Sequence, residues 1–266
     1  TEAEIEMLRD GLGLHVSLLE RYFRYIGDLV TGDLGTSLSM KRPVADLFFE
    51  RFPATLKLAI GSIVVTLIIS IPLGIAAATH HRSWLDGVSM VTAMLGVSMP
   101  GFWLGLLLIM AFSLKLGLLP SGGSGSFAHI ILPAFALGAS QAGNMTRITR
   151  SSMLDVIRQD YLRTARAKGV SEKQVIRKHA LKNALIPIIT VFGSTLGNAL
   201  GGAVAIETVF SWPGVGRLTV SAINSRDMTL ATGCIIMFTI FLTLTMLLVD
   251  IAYAYADPRI KAQYSK

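Results

Sequence analysis

Long apolar runs alternate with short polar ones along this chain, and the runs exceed what a strand or core helix of a water-soluble domain needs. A helix crosses the hydrocarbon layer of a bilayer in about 20 predominantly apolar residues. Ala54–Ala78, Val88–Leu114, His129–Met145, Ala184–Ile206 and Met228–Val249 have that character, the third of them least strongly. Five membrane-spanning helices are therefore predicted. Lys57 stands near the start of the first, where a long side chain can snorkel to the interface. Pro72, Pro100, Pro133 and Pro187 fall inside or at the edges of these windows. Each removes a backbone donor and is expected to bend its helix. Gly193, Gly197 and Gly201 recur at intervals of four, so they share one helix face on which another backbone can approach closely. The approaching helix belongs either to this chain or to a second membrane subunit.

Composition agrees with a bilayer protein: 52% of the 266 residues are hydrophobic and 15% charged, with a mean hydropathy of +0.58. Soluble domains carry about 25% charged residues. Cys234, the single cysteine, lies in an apolar run, so no internal disulfide can form. The formal charge of +7 does not imply a nucleic-acid partner, because most of the excess is confined to one segment. Between Arg147 and Lys182 ten lysines and arginines face three acids, Asp155, Asp160 and Glu172. Basic loops stay in the cytoplasm, which places this one inside.

Alternation then sets Thr79–Gly87 and the tail, with Arg259, Lys261 and Lys266, inside, and the Gly/Ser loop at 120–126 and the segment Glu207–Asp227 outside. Residues 1–53 also fall outside, and there six basic residues face nine acids. A polar beginning of this kind needs something to carry it across, so a further transmembrane helix or cleaved signal is expected ahead of Thr1. The expected organisation is an extracytoplasmic region, 1–53, followed by a transmembrane domain, 54–266.

Inside the basic loop, Leu154, Ile157, Tyr161 and Ala165 recur at helical steps and form one apolar stripe. Gly169 is placed to end that helix. Ser171 and Gln174 have the spacing of a capping box that opens a second one. Three uses of such an element are open: a solvated topological loop, a surface for anionic lipid, or a docking surface for a soluble partner. A loop needed only for topology requires neither caps nor a glycine.

The stretch "YLRTARAKGVSEKQVIRKHALKNALIP" (161–187) resembles the EAA-type cytoplasmic loop of permease subunits of binding-protein-dependent ABC importers, in the dipeptide, oligopeptide and nickel branch. Arg163, Thr164 and Ala165 occupy the Glu-Ala-Ala places, so the glutamate is absent, and Leu181-Lys182 replaces a later Leu-Pro, with a proline delayed to Pro187. "GDLGTSL" (32–38), "RPVADLFFERFPATLKLA" (42–59), "GVSMPGFWLGLLL" (96–108), "HIILPAFALG" (129–138), "ETVFSWPGVGRL" (207–218) and "DPRIK" (257–261) extend the likeness over almost the whole chain.

The resemblance implies an all-α polytopic bundle in the bacterial cytoplasmic (inner) membrane, with six helices counting the one ahead of Thr1. It implies a second related permease, two cytoplasmic ATPases that hold ATP and Mg, and an extracytoplasmic solute-binding protein. This chain itself holds no cofactor. It also implies that Arg163, Thr164, Ala165, Lys168, Gly169, Val170, Ser171 and Glu172 form the ATPase-coupling region. Glu207, Trp212, Arg217, Arg226 and Asp227 become candidates for a scoop-like substrate-entry element. The sequence has no GxxxxGKS/T phosphate loop, so energy enters through a partner. His15, His80, His81, His129 and His179 show no metal-ligand spacing and are assigned interfacial roles. The cargo is expected to be di- or oligopeptide, or else nickel, a metallophore or glutathione. A self-contained carrier or channel is the rival from another class.

Overall fold

The computed structural model describes residues 16–256, and among them secondary structure is helical apart from a single β-bridge between Thr36 and Pro43. The tail residues Arg259, Lys261 and Lys266, the stretch 257–261, and His15 lie outside the described residues. Helix α1 (Leu18–Thr31) opens on Ser17, whose hydroxyl accepts the Glu20 amide at 3.3 Å, and closes on Gly32 at φ +86°. Helix α2 (Val44–Thr79) begins ten residues before the predicted span. Its 36 residues reach about 54 Å, well beyond a hydrocarbon core of about 30 Å. Part of its length therefore lies outside the hydrocarbon core. Pro53 and Pro72 lie within it, and the helix continues through both.

The window Val88–Leu114 is not one straight span. Helix α3 (Trp84–Ser98) and helix α4 (Gly101–Leu108), which runs on as a π-helical stretch to Lys115, meet at an angle of 99°. The residue before a proline is pushed out of the helical region. Met99 accordingly sits at φ −92°, ψ 123°, and Pro100 itself is extended. Among the described residues α2 and Met228–Val249 are long and apolar enough to cross a membrane, with the bent pair as a third candidate, so two or three helices meet that test where five were expected.

Helix α5 (Ala128–Ile157) continues well past the predicted Met145, and Pro133 does not interrupt it. Then follow α6 (Asp160–Ala167), the short α7 (Glu172–Gln174) with a π-helical stretch to Ala180, α8 (Leu181–Val209), α9 (Val215–Asn224) and α10 (Met228–Ala256). Pro187 lies within α8. Helix α5 is the centre of the bundle, packed most extensively on α2 and also on α3, α4 and α8.

Backbone proximity makes this centre possible. A Cβ at Gly138 would collide with the Ser62 carbonyl oxygen, and one at Gly143 with that of Ala93. The Thr66 hydroxyl on α2 donates to the Gly138 carbonyl at 3.0 Å and to its own Ser62 carbonyl at 2.9 Å. Of the glycine series on α8, Gly193 faces Val249 and Gly197 faces Met246, both on α10. Gly201 meets nothing within 4 Å. This chain therefore supplies the neighbour for two of the three positions.

Gly138→Val should force α2 and α5 apart and lower the unfolding midpoint of the purified protein, by about 1–3 kcal/mol as for other overpacked cores. Gly87→Ala, within α3 where a Cβ meets nothing within 4 Å, should leave the midpoint unchanged or raise it slightly.

Candidate functional site

Two regions carry the predicted site residues, one at each end of the bundle. The basic hairpin comes first. The apolar stripe does not run along one helix: α5 stops at Ile157, and α6 starts afresh at Asp160 after Gln159 takes an extended conformation. Leu162, fully buried, is the anchor of α6, while Tyr161 is exposed. Leu162, Val175, Ala180 and Ala184 close on Ala78 at the end of α2 and Met153 near the end of α5. The hairpin is thus rooted in the two helices that form the centre of the bundle.

Gly169, at φ +80°, ends α6. Its amide donates to the Arg166 carbonyl at 2.9 Å, and the Val170 amide donates to the Ala165 carbonyl at 3.2 Å. This is a Schellman motif, completed by half-buried Val170 and Ala165 packing into the same cluster. Across the turn Arg166 clasps Glu172 in a bidentate pair at 2.9 and 3.0 Å. The hydrogen bond from Arg166 holds the Glu172 carboxyl below its usual range, and Glu172 in return raises Arg166. The expected capping box does not form, since the Ser171 side chain makes no cap hydrogen bond. The Arg166–Glu172 pair fixes the start of the second arm instead. Arg163, Thr164, Lys168, Gly169, Ser171 and Glu172 are left exposed to solvent.

At the opposite end, α8 passes through a tight turn into α9, and the predicted entry residues separate into two kinds. Glu207, Trp212 and Asp227 are interior. The Thr55 hydroxyl donates to Glu207 Oε1 at 2.6 Å, and the Arg217 amide donates to Oε2 at 3.0 Å. Thr55 in turn accepts the Val215 amide at 2.9 Å. Gly214 lies against the Glu207 carboxylate so closely that a Cβ there would clash. Trp212 Nε1 donates to the Ala54 carbonyl at 2.8 Å. Arg217 and Arg226 remain on the surface.

Asp227 caps the start of α10 through the Leu230 amide at 3.1 Å, and accepts from the Ser37 hydroxyl at 2.6 Å, the Ser39 hydroxyl at 2.8 Å and the Ser39 amide at 2.9 Å. Burial alone would raise this carboxyl. The hydrogen bonds from Ser37, Ser39 and Leu230 outweigh it and hold the group well below the usual carboxylate range.

A third cluster joins residues 64 positions apart, which no local sequence signal brings together. Arg150 on α5 binds Asp86 on α3 in a bidentate pair at 2.7 and 2.8 Å. The Arg82 amide donates to the same carboxylate at 3.0 Å, and His81 Nδ1 lies 3.0 Å from the Arg150 guanidinium. The short turn between α2 and α3 is thereby tied to α5, one turn ahead of the hairpin root at Met153. His80 and His81 adjoin each other in the sequence, but their partners differ: His80 Nδ1 lies 3.1 Å from the Ala76 carbonyl oxygen. Among the described residues no group of three or more His, Cys, Asp or Glu is placed to hold a metal ion.

The described residues form a helical membrane-type bundle whose basic hairpin is rooted in its two central helices. Residues 70–262 match the model of the binding-protein-dependent transport system inner membrane component, and the chain belongs to that family. It is 46% identical over 257 residues to the glutathione transport system permease protein GsiC of Escherichia coli, covering 97% of this chain and 84% of that protein. The GsiC of Shigella boydii is 45% identical over the same coverage. Among solved structures, the inward-facing methionine ABC transporter MetNI aligns with a TM-score of 0.68 at 17% identity, over 79% of this chain and 96% of that one. An amino acid ABC transporter aligns at 0.62 and 13% identity, over 79% and 94%. At such identities the likeness is one of fold. The chain is an ABC importer permease subunit, a component of the inner membrane, and not a self-contained carrier or channel.

Replacing Asp86 by Asn should destabilise the protein by about 2 kcal/mol in a denaturation series. That is below the ~3–5 of a fully buried pair, because Arg150 retains 23% exposure. Combining Asp86→Leu with Arg150→Met should recover part of the loss. Asp227 supplies a pH signature: its folded pKa is depressed, so its stabilisation is complete above the unfolded value of about 3.9 and declines as pH falls toward the folded one. Between about pH 4 and pH 2 the melting temperature should therefore fall less steeply in Asp227→Asn than in the unsubstituted protein.

Proposed function

We propose that this chain forms one half of a translocation pathway for short peptides, with glutathione as the first candidate cargo, and that it pairs with a second related permease. Two cytoplasmic ATPases, which hold the ATP and Mg, grip the hairpin between Arg147 and Lys182, and an extracytoplasmic solute-binding protein delivers the cargo. The C-terminus lies in the cytoplasm. Glutathione is a tripeptide, so a cargo of this kind unites the peptide reading of the motifs with the glutathione transport named for the relatives in Escherichia coli and Shigella boydii.

The observation that carries the coupling role is the division of the hairpin into two sides. Leu162, Val175 and Ala180 are buried against α2 and α5, while Arg163, Thr164, Lys168, Ser171 and Glu172 face outward. A push on the outer side reaches the bundle through the inner one. The Schellman turn and the Arg166–Glu172 clasp keep the hairpin stiff enough to transmit it. Such a push acts on the equilibrium between inward- and outward-open states and leaves cargo contacts untouched. At the other end Glu207, Trp212 and Asp227 hold the α8–α10 connection in shape, and Arg217 and Arg226 are the side chains offered to the binding protein.

Gly169 provides the test. A residue with a Cβ costs about 1–2 kcal/mol in the left-handed conformation, more when β-branched, while Asn tolerates it. With the reconstituted transporter, ATP-dependent uptake of labelled glutathione should fall several-fold in Gly169→Val, with ATP hydrolysis persisting, and should be largely kept in Gly169→Asn. Undiminished uptake in Gly169→Val defeats the coupling assignment. Uptake of dipeptides but not glutathione by the unsubstituted transporter defeats the cargo alone.

A further inference from the structure

Helix α1 lies in the expected extracytoplasmic region, 1–53, and it has an unusual balance. None of its 14 residues is buried. Yet Leu19, Phe23, Ile26 and Val30 follow one another at steps of three and four along one side, with Leu19, Phe23 and Val30 exposed by 72%, 69% and 82%. Arg21, Arg24 and Asp28 occupy the other side. Single exposed apolar residues are ordinary, but a continuous apolar helix face marks a contact surface. A helix of this length with no buried residue is marginal in water by itself, so a covering surface is needed for it to persist.

The position of α1 says what that surface is. Leu29 packs against the cluster formed by Leu34, Val44, Phe48 and Leu230, at the starts of α2 and α10. Tyr22, Tyr25 and Asp28 share a cleft with Met228, Thr229 and Thr232 from the first turns of α10. Both α2 and α10 are long, apolar membrane spans, and α10 is mostly unburied along its length. Helix α1 therefore sits beside the point where two spans leave the hydrocarbon, next to a surface that lipid already covers.

From this placement we infer that α1 is an interfacial helix, lying in the leaflet at the N-terminal end of α2 with Leu19, Phe23, Ile26 and Val30 inserted among the lipid chains. An amphipathic helix in this setting buries its apolar face about 5–10 Å into the headgroup boundary. Tyr22 has the amphipathic ring chemistry of that zone, and Phe23 the apolar one of the inserted face. Charge attraction is not the driving force. Glu20 and Asp28 balance Arg21 and Arg24, and Arg24 already pairs with Glu20 at 3.3 Å. The partner is thus lipid recognised by its hydrocarbon and not by an anionic headgroup. In function the helix fixes the height of the segment Leu34–Arg42, whose Ser37 and Ser39 hold Asp227.

Site-directed fluorescence on the intact reconstituted transporter tests this. Single cysteines replace Leu19, Phe23, Val30, Glu20 or Arg24 in turn, in a Cys234→Ala background, and carry an environment-sensitive dye in vesicles of phosphatidylethanolamine and phosphatidylglycerol. Nitroxide-bearing phospholipid should quench the dyes at Leu19, Phe23 and Val30 at least about threefold more than those at Glu20 and Arg24, and aqueous iodide should do the reverse. Halving the phosphatidylglycerol content should leave the pattern unchanged. Equal iodide access at all five positions overturns the inference in favour of a water-exposed helix. Protection of Leu19, Phe23 and Val30 from both quenchers overturns it in favour of a protein partner. A pattern that disappears with the anionic lipid overturns the hydrocarbon-driven mode. None of these outcomes depends on the cargo or on coupling, so they separate from a failure of the functional proposal.

Discussion

The bundle depends on how closely α2 and α5 approach. Without a hydrophobic force between helices in lipid, close packing and interhelical hydrogen bonds must hold them. Gly138 removes the side chain that would keep the two backbones apart, and Thr66 then reaches the freed carbonyl of its neighbour. The same helix repeats the device at Gly143, where α3 comes within backbone contact. Three further elements are fastened to α5: α8 through Leu137 and Ala203, the α2–α3 turn through Arg150, and the hairpin through Met153. One helix thereby connects both ends of the molecule.

Three buried or nearly buried carboxylates secure the periphery of this frame, and they are stabilised in two ways. Asp86 has a cation, in the bidentate geometry that arginine offers. Glu207 and Asp227 are held by hydroxyls and backbone amides. A buried carboxylate is costly unless such partners meet it, so each fixes the segments that supply them. Thr55 pins α2 to the α8–α9 turn, and Ser37 and Ser39 pin the segment before α2 to the start of α10. The end of the molecule that bears α9 is therefore a set of short elements clamped to long ones. At the other end the hairpin has a greasy base and a polar outer surface, stiffened by the glycine turn and the Arg166–Glu172 clasp.

Much of this was legible in the residues. Apolar run lengths predict a membrane bundle without reference to any partner, because hydrocarbon leaves a backbone no other solvent. The basic excess marks the hairpin, and Gly169 marks its turn, since a left-handed residue is a local requirement. Local signals misled where two of them competed. Ser171 and Gln174 have the spacing of a capping box, but Glu172 between them is drawn to Arg166 across the turn, and the box does not form. The window from Val88 to Leu114 is apolar throughout, yet Pro100 and the extended Met99 before it split the span. Helix α1 was hidden by its charged residues, which interrupt the apolar run though not the apolar face.

What the chain alone determined is thus what depends on neighbours within a turn or two: the helical, apolar character of the chain and the turn at Gly169. The tertiary structure decided which distant residues meet. Asp86 and Arg150 are separated by 64 positions, Thr55 and Glu207 by 152, and Ser37 and Asp227 by 190. It also decided that Glu207, Trp212 and Asp227 point inward, whereas Arg217 and Arg226 face out. Such choices turn on packing between helices, and packing geometry is a property of pairs of surfaces that no single stretch of sequence contains.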